Sequence, residues 1–350
     1  MHMRKINVGI ASFGMSGKVF HAPILAHHEG FKLAKIVERS NNEVKKIYPD
    51  VVSVKSFDDL LDDDNIELVV VNTPDLTHYE LACKALQANK HVVVEKPFTR
   101  TIRQGEELLN LAERKNRMLS VFQNRRWDGD FLTISKLLEN GCLGRLVEFE
   151  SYYMRYRNFI QNDSWKESAI QGIGLTYNLG SHMIDQAVVL FGMPEAVWAD
   201  IDSLRAGSEI DDFYHIKLFY PDIKVSLKAS YLVREEGPRY SLHGTKGSFL
   251  KYGIDPQEEM LKQGGNPSLP DWGKEPESQW GILNTEINGI HFRGKVETVA
   301  GNYAAYYDNI YNVIRNRNEL IVLPEQAINV LHIIETATES SRCGHLIDLG

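Results

Sequence analysis

The sequence predicts an α/β protein of two domains, a doubly wound parallel sheet followed by a domain on a mostly antiparallel sheet. Two observations carry this. The first third of the chain alternates short apolar runs with amphipathic helical segments, the pattern of parallel strands buried on both faces by crossover helices. Beyond Asn124 the strands instead alternate apolar and polar residues with few helices between them, which favours antiparallel pairing. A chain of 350 residues suits two domains at roughly 100–200 residues each, here 1–124 and 125–350.

The elements follow in order. Ile6 to Ala11, Lys32 to Val37, Leu68 to Val71, His91 to Val94 and Leu119 to Phe122 are strand-length apolar runs. Val19 to His28, Tyr79 to Ala88 and Gln104 to Lys115 repeat apolar residues at helical spacing. In the second domain Leu146 to Tyr156, Phe213 to Tyr220, Lys224 to Tyr231 and Tyr240 to His243 are the strand candidates. The stretch from Asp255 to Asn288 is polar and rich in Gly, Pro and Trp, which predicts long loops with short helices. Gly301 to Asn316 and Pro324 to Ser341 predict closing helices.

Composition excludes several classes. Apolar residues make up 43%, enough for packed cores. No apolar run approaches the ~18 residues that a membrane span requires. A net charge of −8 argues against a nucleic-acid partner held by a broad basic face. The three cysteines, Cys83, Cys142 and Cys343, are far apart and predict neither a disulfide framework nor a thiolate metal site. The N-terminus lacks the apolar core of a secretory signal, so the expected compartment is the cytoplasm.

Four segments carry chemistry. Ser12-Phe13-Gly14-Met15-Ser16-Gly17 sits between the first strand and helix, where a dinucleotide turn reads G-x-G-x-x-G. Ser12 replaces the first glycine; Gly14 lets the backbone approach a pyrophosphate and Gly17 lets helix and strand pack closely. The N–H groups of Phe13, Gly14, Met15 and Ser16 can then face phosphate at a helix N-terminus. Glu38 ends the second strand about 20 residues on, where a carboxylate binds ribose hydroxyls and repels a 2′-phosphate. This favours NAD over NADP, with Arg39 and Ser40 able to hold a 2′-phosphate if Glu38 turned away. Glu95-Lys96-Pro97 follows a buried strand, at the strand end that faces the ligand crevice in such sheets; Pro97 is a candidate cis residue. In the second domain His182 lies just after Gly180-Ser181, with Asp185 one helical turn on. Histidine is the natural proton acceptor near neutral pH. No third or fourth ligand accompanies the pair, so no metal is expected.

Together these segments resemble the Gfo/Idh/MocA oxidoreductases over nearly the whole chain. The residues are the dinucleotide turn with Phe20-His21-Ala22-Pro23, Asn72-Thr73-Pro74 with His78, Glu95-Lys96-Pro97, Asn124-Arg125-Arg126-Trp127-Asp128, Leu179-Gly180-Ser181-His182 and Lys251-Tyr252-Gly253-Ile254-Asp255. The likeness within that family is greatest to the scyllo-inositol dehydrogenase group. It implies a Rossmann domain, a C-terminal α/β domain on a large, mostly antiparallel sheet, and a homodimer or homotetramer formed through that sheet. It implies oxidation of a secondary alcohol on a cyclic polyol or sugar with NAD or NADP. Lys96 and His182 then correspond to the catalytic pair. Thr73, Pro74, His78, Glu95 and Asn124 line the nicotinamide side, and Arg126 and Trp165 face cofactor and substrate. Asn178 departs from the pattern, because the residue four before the histidine is usually aspartate. An amide accepts a hydrogen bond from the imidazole but cannot offset its charge, so either Asp185 fills that gap or His182 is a poorer base and Lys96 does more of the proton work. Two alternatives remain: a sugar sensor that binds NAD(P) without turnover, and an NADP-dependent sugar or ketone reductase.

Overall fold

The computed structural model describes residues 4–40, 42–161, 167 and 172–350. The chain forms two compact units. Unit 1 comprises 1–127, 256–273 and 302–328, and unit 2 comprises 128–255, 274–301 and 329–350. The second half of the chain thus returns twice to the first unit.

Among the described residues, unit 1 holds a six-stranded sheet of β1 (Ile6–Ile10), β2 (Phe31–Val37), β3 (Val52–Val54), β4 (Leu68–Val71), β5 (His91–Val94) and β6 (Leu119–Val121). The spatial order is β3-β2-β1-β4-β5-β6, and every pairing is parallel. The reversal of order at β1 and β4 is the topological switch point beside which such sheets bind ligands. The expected five strands are present and joined by a sixth, β3, a three-residue edge strand.

The helices are α1 (Ala22–His27), α2 (Val44–Ile47), α3 (Phe57–Leu61), α4 (His78–Gln87) and α5 (Ile102–Lys115). A wider, π-type turn, Gly17–His21, leads into α1. Thr101 caps α5 by accepting from Gln104 N–H, and Asn116 stops it in the left-handed region at φ 51°, which asparagine tolerates. The later segments α8 (Gln257–Lys262) and α9 (Ala304–Asn316) belong to this unit. Tyr306, Tyr307 and Ile310 of α9 join Phe31, Val93 and Phe122 in its core.

Among the described residues, unit 2 is built on a nine-stranded sheet with α6 (Gly129–Glu139) and α7 (Ser181–Phe191). Its strands are β7 (Leu146–Met154), β8 (Ala196–Asp202), β9 (Phe213–Phe219), β10 (Lys224–Ser230), β11 (Tyr240–Gly244), β12 (Gly247–Lys251), β13 (Gly281–Ile287), β14 (Ile290–Val296) and β15 (Ile347–Asp348). The order is β14-β13-β12-β11-β7-β10-β9-β8-β15. All pairings are antiparallel except β7 with β10, which run parallel. The segment expected as long loops with short helices, Asp255 to Asn288, holds the short helix α8, and also the strand β13, which was not expected. A final helix, α10 (Pro324–Cys343), closes the chain, and its Ile333, Ile334 and Ala337 pack into the core with Ile184 and Ala187 of α7.

Candidate active site

In unit 1 the turn after β1 is held by Asn72, which follows β4. Ser12 N–H donates to Asn72 Oδ1 at 3.0 Å, and Asn72 Nδ2 donates back to Ser12 O at 2.8 Å. Gly14 N–H donates to Ser12 Oγ at 3.2 Å. The serine at the first glycine position therefore works as part of the turn. A Cβ on Gly17 would lie 2.2 Å from Ser12 O, so that residue must be glycine. A Cβ on Gly14 would meet only Ser12 Oγ, at 3.4 Å, and Gly14 and Met15 are exposed. Open backbone ahead of a helical turn suits a pyrophosphate, so the residues present fit a dinucleotide. Phe13 is buried edge-on to Tyr48.

Glu38, at the end of β2, is only 6% exposed. Its Oε1 accepts from Glu43 N–H at 2.7 Å and its Oε2 from Ser53 Oγ at 3.2 Å. Both oxygens thus hold the loop that follows and the edge strand β3. Arg39 and Ser40 are exposed.

Glu95 and Lys96 leave the end of β5. Glu95 N–H continues the ladder to Val71 O. The Glu95 carboxylate turns back, and Oε2 accepts from Lys96 N–H at 3.0 Å. The Lys96–Pro97 peptide is cis, as the sequence suggested. Lys96 itself is half-buried. His78 ties this turn to the next one: its Nδ1 lies 2.8 Å from Pro97 O and its Nε2 2.9 Å from Thr73 O. Thr77 Oγ1 donates within the Thr73-Pro74 turn. Nearby Asp75 is buried, and that burial pushes its carboxyl up despite the charges of His78 and Arg100.

Asn124 opens the short helical turn Asn124–Trp127 and is buried. Arg126 is 7% exposed, and its Nη1 donates to Gln326 Oε1 at 3.0 Å and Ile321 O at 3.3 Å. Arg125 pairs with Glu258 at 2.7 Å. Burial alone would raise the Glu258 carboxyl, but Arg125 and Lys262 outweigh it and bring it down to about 2.

In unit 2 a π-type turn, Thr176–Gly180, runs directly into α7. Asp211 anchors its start, accepting from Thr176 N–H at 2.6 Å and Thr176 Oγ1 at 2.8 Å. His182 sits in the first turn of α7 with Asp185 one turn on, and both are buried. Gln186 accepts from the Tyr240 hydroxyl at 2.7 Å. Asn178 is exposed, one turn before His182, and its carbonyl accepts from Ser181 Oγ at 3.3 Å. Trp165 lies outside the described residues. Among the described residues no cluster of three metal-ligating side chains is found, and no helix is long and apolar enough to cross a membrane.

Residues 6–123 match the model of the oxidoreductase family's NAD-binding Rossmann fold, and 135–349 match that of its C-terminal α/β domain. The chain belongs to the Gfo/Idh/MocA oxidoreductase family. It is 42% identical to the scyllo-inositol 2-dehydrogenase (NADP(+)) IolW of Bacillus subtilis, over 96% of this chain and 94% of that one. It is equally identical to the uncharacterized oxidoreductase YdgJ of Escherichia coli, over 96% of both. An oxidoreductase of Bacteroides fragilis superposes with a TM-score of 0.93 at 52% identity, covering 99% of this chain and 100% of that chain. This Gfo/Idh/MocA protein is accordingly an NAD(P)-binding dehydrogenase acting on CH–OH groups.

Asn72 and His21 enter the sequence reading only within the family motifs, with no role of their own, and Tyr307 is not named there. In unit 1 Asn72 clamps the dinucleotide turn, and His21 and Tyr307 form a buried hydrogen-bonded chain to Glu95. Tyr307 carries no local signal, because it lies 286 residues from the histidine it meets.

Proposed function

We propose that the protein oxidises a ring secondary alcohol of an inositol-like polyol, or runs the reverse reduction, with NADP as the preferred cofactor. The reading rests on Lys96, a half-buried lysine at the end of β5 whose backbone is fixed by Glu95 and whose turn is fixed by His78. The full-length likeness to a scyllo-inositol dehydrogenase supports the substrate class.

When bound, the nicotinamide supplies the hydride acceptor. In this reading Phe13 to Ser16 hold its pyrophosphate by backbone N–H groups, and Thr73, Pro74, His78 and Asn124 line its nicotinamide side. Lys96 donates a hydrogen bond to the reacting oxygen and steadies the negative charge that grows there. His182 takes the hydroxyl proton. The Asn178 amide can orient that imidazole without offsetting its charge, which leaves the charge to Asp185, one turn along α7. Arg126 contributes by holding the segment 321–326, and Trp165 is assigned to the substrate side by family likeness.

The choice of NADP departs from the carboxylate rule and follows from where Glu38 points. A carboxylate that accepts from Glu43 and Ser53 is committed to its own loop. It leaves the exposed Arg39 and Ser40 as the groups nearest in sequence for a 2′-phosphate. IolW, by its name, uses NADP(+).

The test is reduced-nicotinamide absorbance with scyllo-inositol, myo-inositol and common aldoses, each with NAD and with NADP. Turnover of an inositol with at least about tenfold higher kcat/KM for NADP is expected. Arg39→Ala should lower the NADP value by about ten- to a hundredfold, the worth of a charge-assisted phosphate contact, and leave NAD unchanged. A wild-type preference for NAD, with Arg39→Ala silent, refutes the assignment.

A further inference from the structure

Unit 1 contains two buried side chains, His21 and Tyr307, that the dehydrogenase reading does not use. His21, the last residue of the turn before α1, is fully buried. Its Nδ1 lies 2.6 Å from the Tyr307 hydroxyl and its Nε2 3.0 Å from Glu95 Oε1. The other Glu95 oxygen accepts from Lys96 N–H. Its ring packs on Phe122, with centroids 4.4 Å apart. Tyr307 comes from α9, so these hydrogen bonds join the cofactor turn, the end of β5 and a helix near the C-terminus.

One arrangement of protons satisfies all of these groups. The Tyr307 O–H donates to Nδ1, and Nε2–H donates to the carboxylate of Glu95. Burial holds the Tyr307 phenol protonated, so it remains a donor. The geometry points to His21, steadied by Tyr307, as a positioning residue that keeps Glu95 charged and fixed beneath Lys96. This rests on Lys96 acting as proposed above. The groups facing Glu95 are His21 from the cofactor turn, His78 from α4, Lys96 beside it, and Tyr306 and Tyr307 from α9. Burial opposes ionisation of Glu95, but the hydrogen bond from His21 and the positive charge that His21, Lys96 and His78 carry when protonated outweigh it and hold the carboxyl below its ordinary range.

A residue that only filled space could be replaced by any side chain of similar volume. A residue that holds a charge has to be replaced by another donor. Three variants separate the two roles. His21→Leu removes the donor, His21→Gln keeps an N–H donor of comparable reach, and Tyr307→Phe removes the group that orients the ring. The first measurement is the titration of the Glu95 side-chain carboxyl, followed by ¹³C NMR, assigned by loss of its signal in Glu95→Gln, and made without substrate. The midpoint should move up by about one to two pH units in His21→Leu, the shift that loss of a charge-assisted hydrogen bond to a carboxylate produces. It should stay near the wild-type position in His21→Gln, with Tyr307→Phe between them. Cofactor Kd should change by less than about threefold, since a hydrogen bond outside the cofactor contacts is lost.

The second measurement is turnover of the polyol that the wild type oxidises. kcat should fall about tenfold in His21→Leu, with KM changed by less than about threefold, and recover in His21→Gln. If His21→Leu merely loses thermal stability while the Glu95 midpoint and kcat stay put, the positioning role is wrong. If the wild type oxidises no polyol, the substrate reading fails, and the Glu95 titration still decides the role of His21.

Discussion

Two glycine substitutions in one turn should separate cofactor binding from folding. A Cβ at Gly17 meets Ser12 O at 2.2 Å and Asn72 Nδ2 at 2.8 Å. The first obstacle is backbone and cannot swing aside, so the turn has to open and the Asn72–Ser12 clamp with it. Overpacking of this kind costs about 1–3 kcal/mol, and the two hydrogen bonds add about 1 kcal/mol each. The total of about 3–5 kcal/mol, at roughly 2–4 °C per kcal/mol for a unit of this size, predicts that Gly17→Ala lowers Tm by about 6–20 °C without cofactor present. Gly14→Ala differs, because its Cβ would touch only Ser12 Oγ at 3.4 Å. Its Tm without cofactor should stay within about 2 °C, since exposed substitutions away from special features change stability by about 0.5 kcal/mol or less. That Cβ would nevertheless occupy the open space assigned to the pyrophosphate. Losing one backbone–phosphate hydrogen bond, worth about 1.5–3 kcal/mol, should raise Kd for NADPH about ten- to a hundredfold. Differential scanning fluorimetry reads the first quantity and fluorescence titration with NADPH the second. Wild-type affinity in Gly14→Ala would refute the assignment of this turn to the pyrophosphate. An unchanged Tm in Gly17→Ala would refute the packing argument.

Two further outcomes are expected. Lys96→Met should reduce kcat by at least about a hundredfold, the usual contribution of a positioned proton donor or charge stabiliser, while NADPH still binds within about tenfold; full turnover would remove Lys96 from the chemistry. The pair of Glu258 with Arg125 predicts a pH dependence of stability. The folded carboxyl lies near 2 against about 4.3 unfolded, so its contribution is complete above about 4.3 and disappears as pH falls through about 2. The stability gap between wild type and Glu258→Gln, about 3 kcal/mol at neutral pH by linkage, should already narrow between about pH 5 and about pH 3, as the unfolded carboxyl begins to titrate, and a gap constant over that range would contradict it.

Much of unit 1 was legible because its strands carry their own signal. Leu68–Val71 and Val92–Val94 are fully buried, and continuous β-branched runs of strand length mark buried parallel strands. The strands that escaped notice lack such runs. β3 is three residues long and half-exposed at a sheet edge. β14 is exposed along most of its length, and its alternation of Ile290, Phe292 and Val296 with His291, Arg293 and Lys295 is a strand signal that the reading passed over. The parallel pairing of β7 with β10 is silent, since the residues between them do not state which neighbour either strand will choose.

The same limit explains the site. The residues that contact ligands in the family pattern lie in short local motifs, and local motifs are visible in a linear sequence. What those residues do depends on partners supplied from elsewhere. Glu38 has the residue type and position of a ribose-binding carboxylate, and on that basis NAD is the natural expectation. Its actual commitment is made by Ser53, which belongs to the edge strand too short to notice, and by Glu43 at the far end of the next loop. Glu95 likewise reads as one member of a three-residue motif until Tyr307 and His21 give it a hydrogen-bond donor. In both cases the carboxylate is identified by sequence and its function by where its lone pairs are spent. A buried acceptor that is already satisfied has little to gain from a ligand hydroxyl. Under the proposed preference for NADP, cofactor choice would follow from the loop that Glu38 holds, and substituting Glu38 alone should disturb Arg39 and Ser40 before it changes the charge that a 2′-phosphate meets.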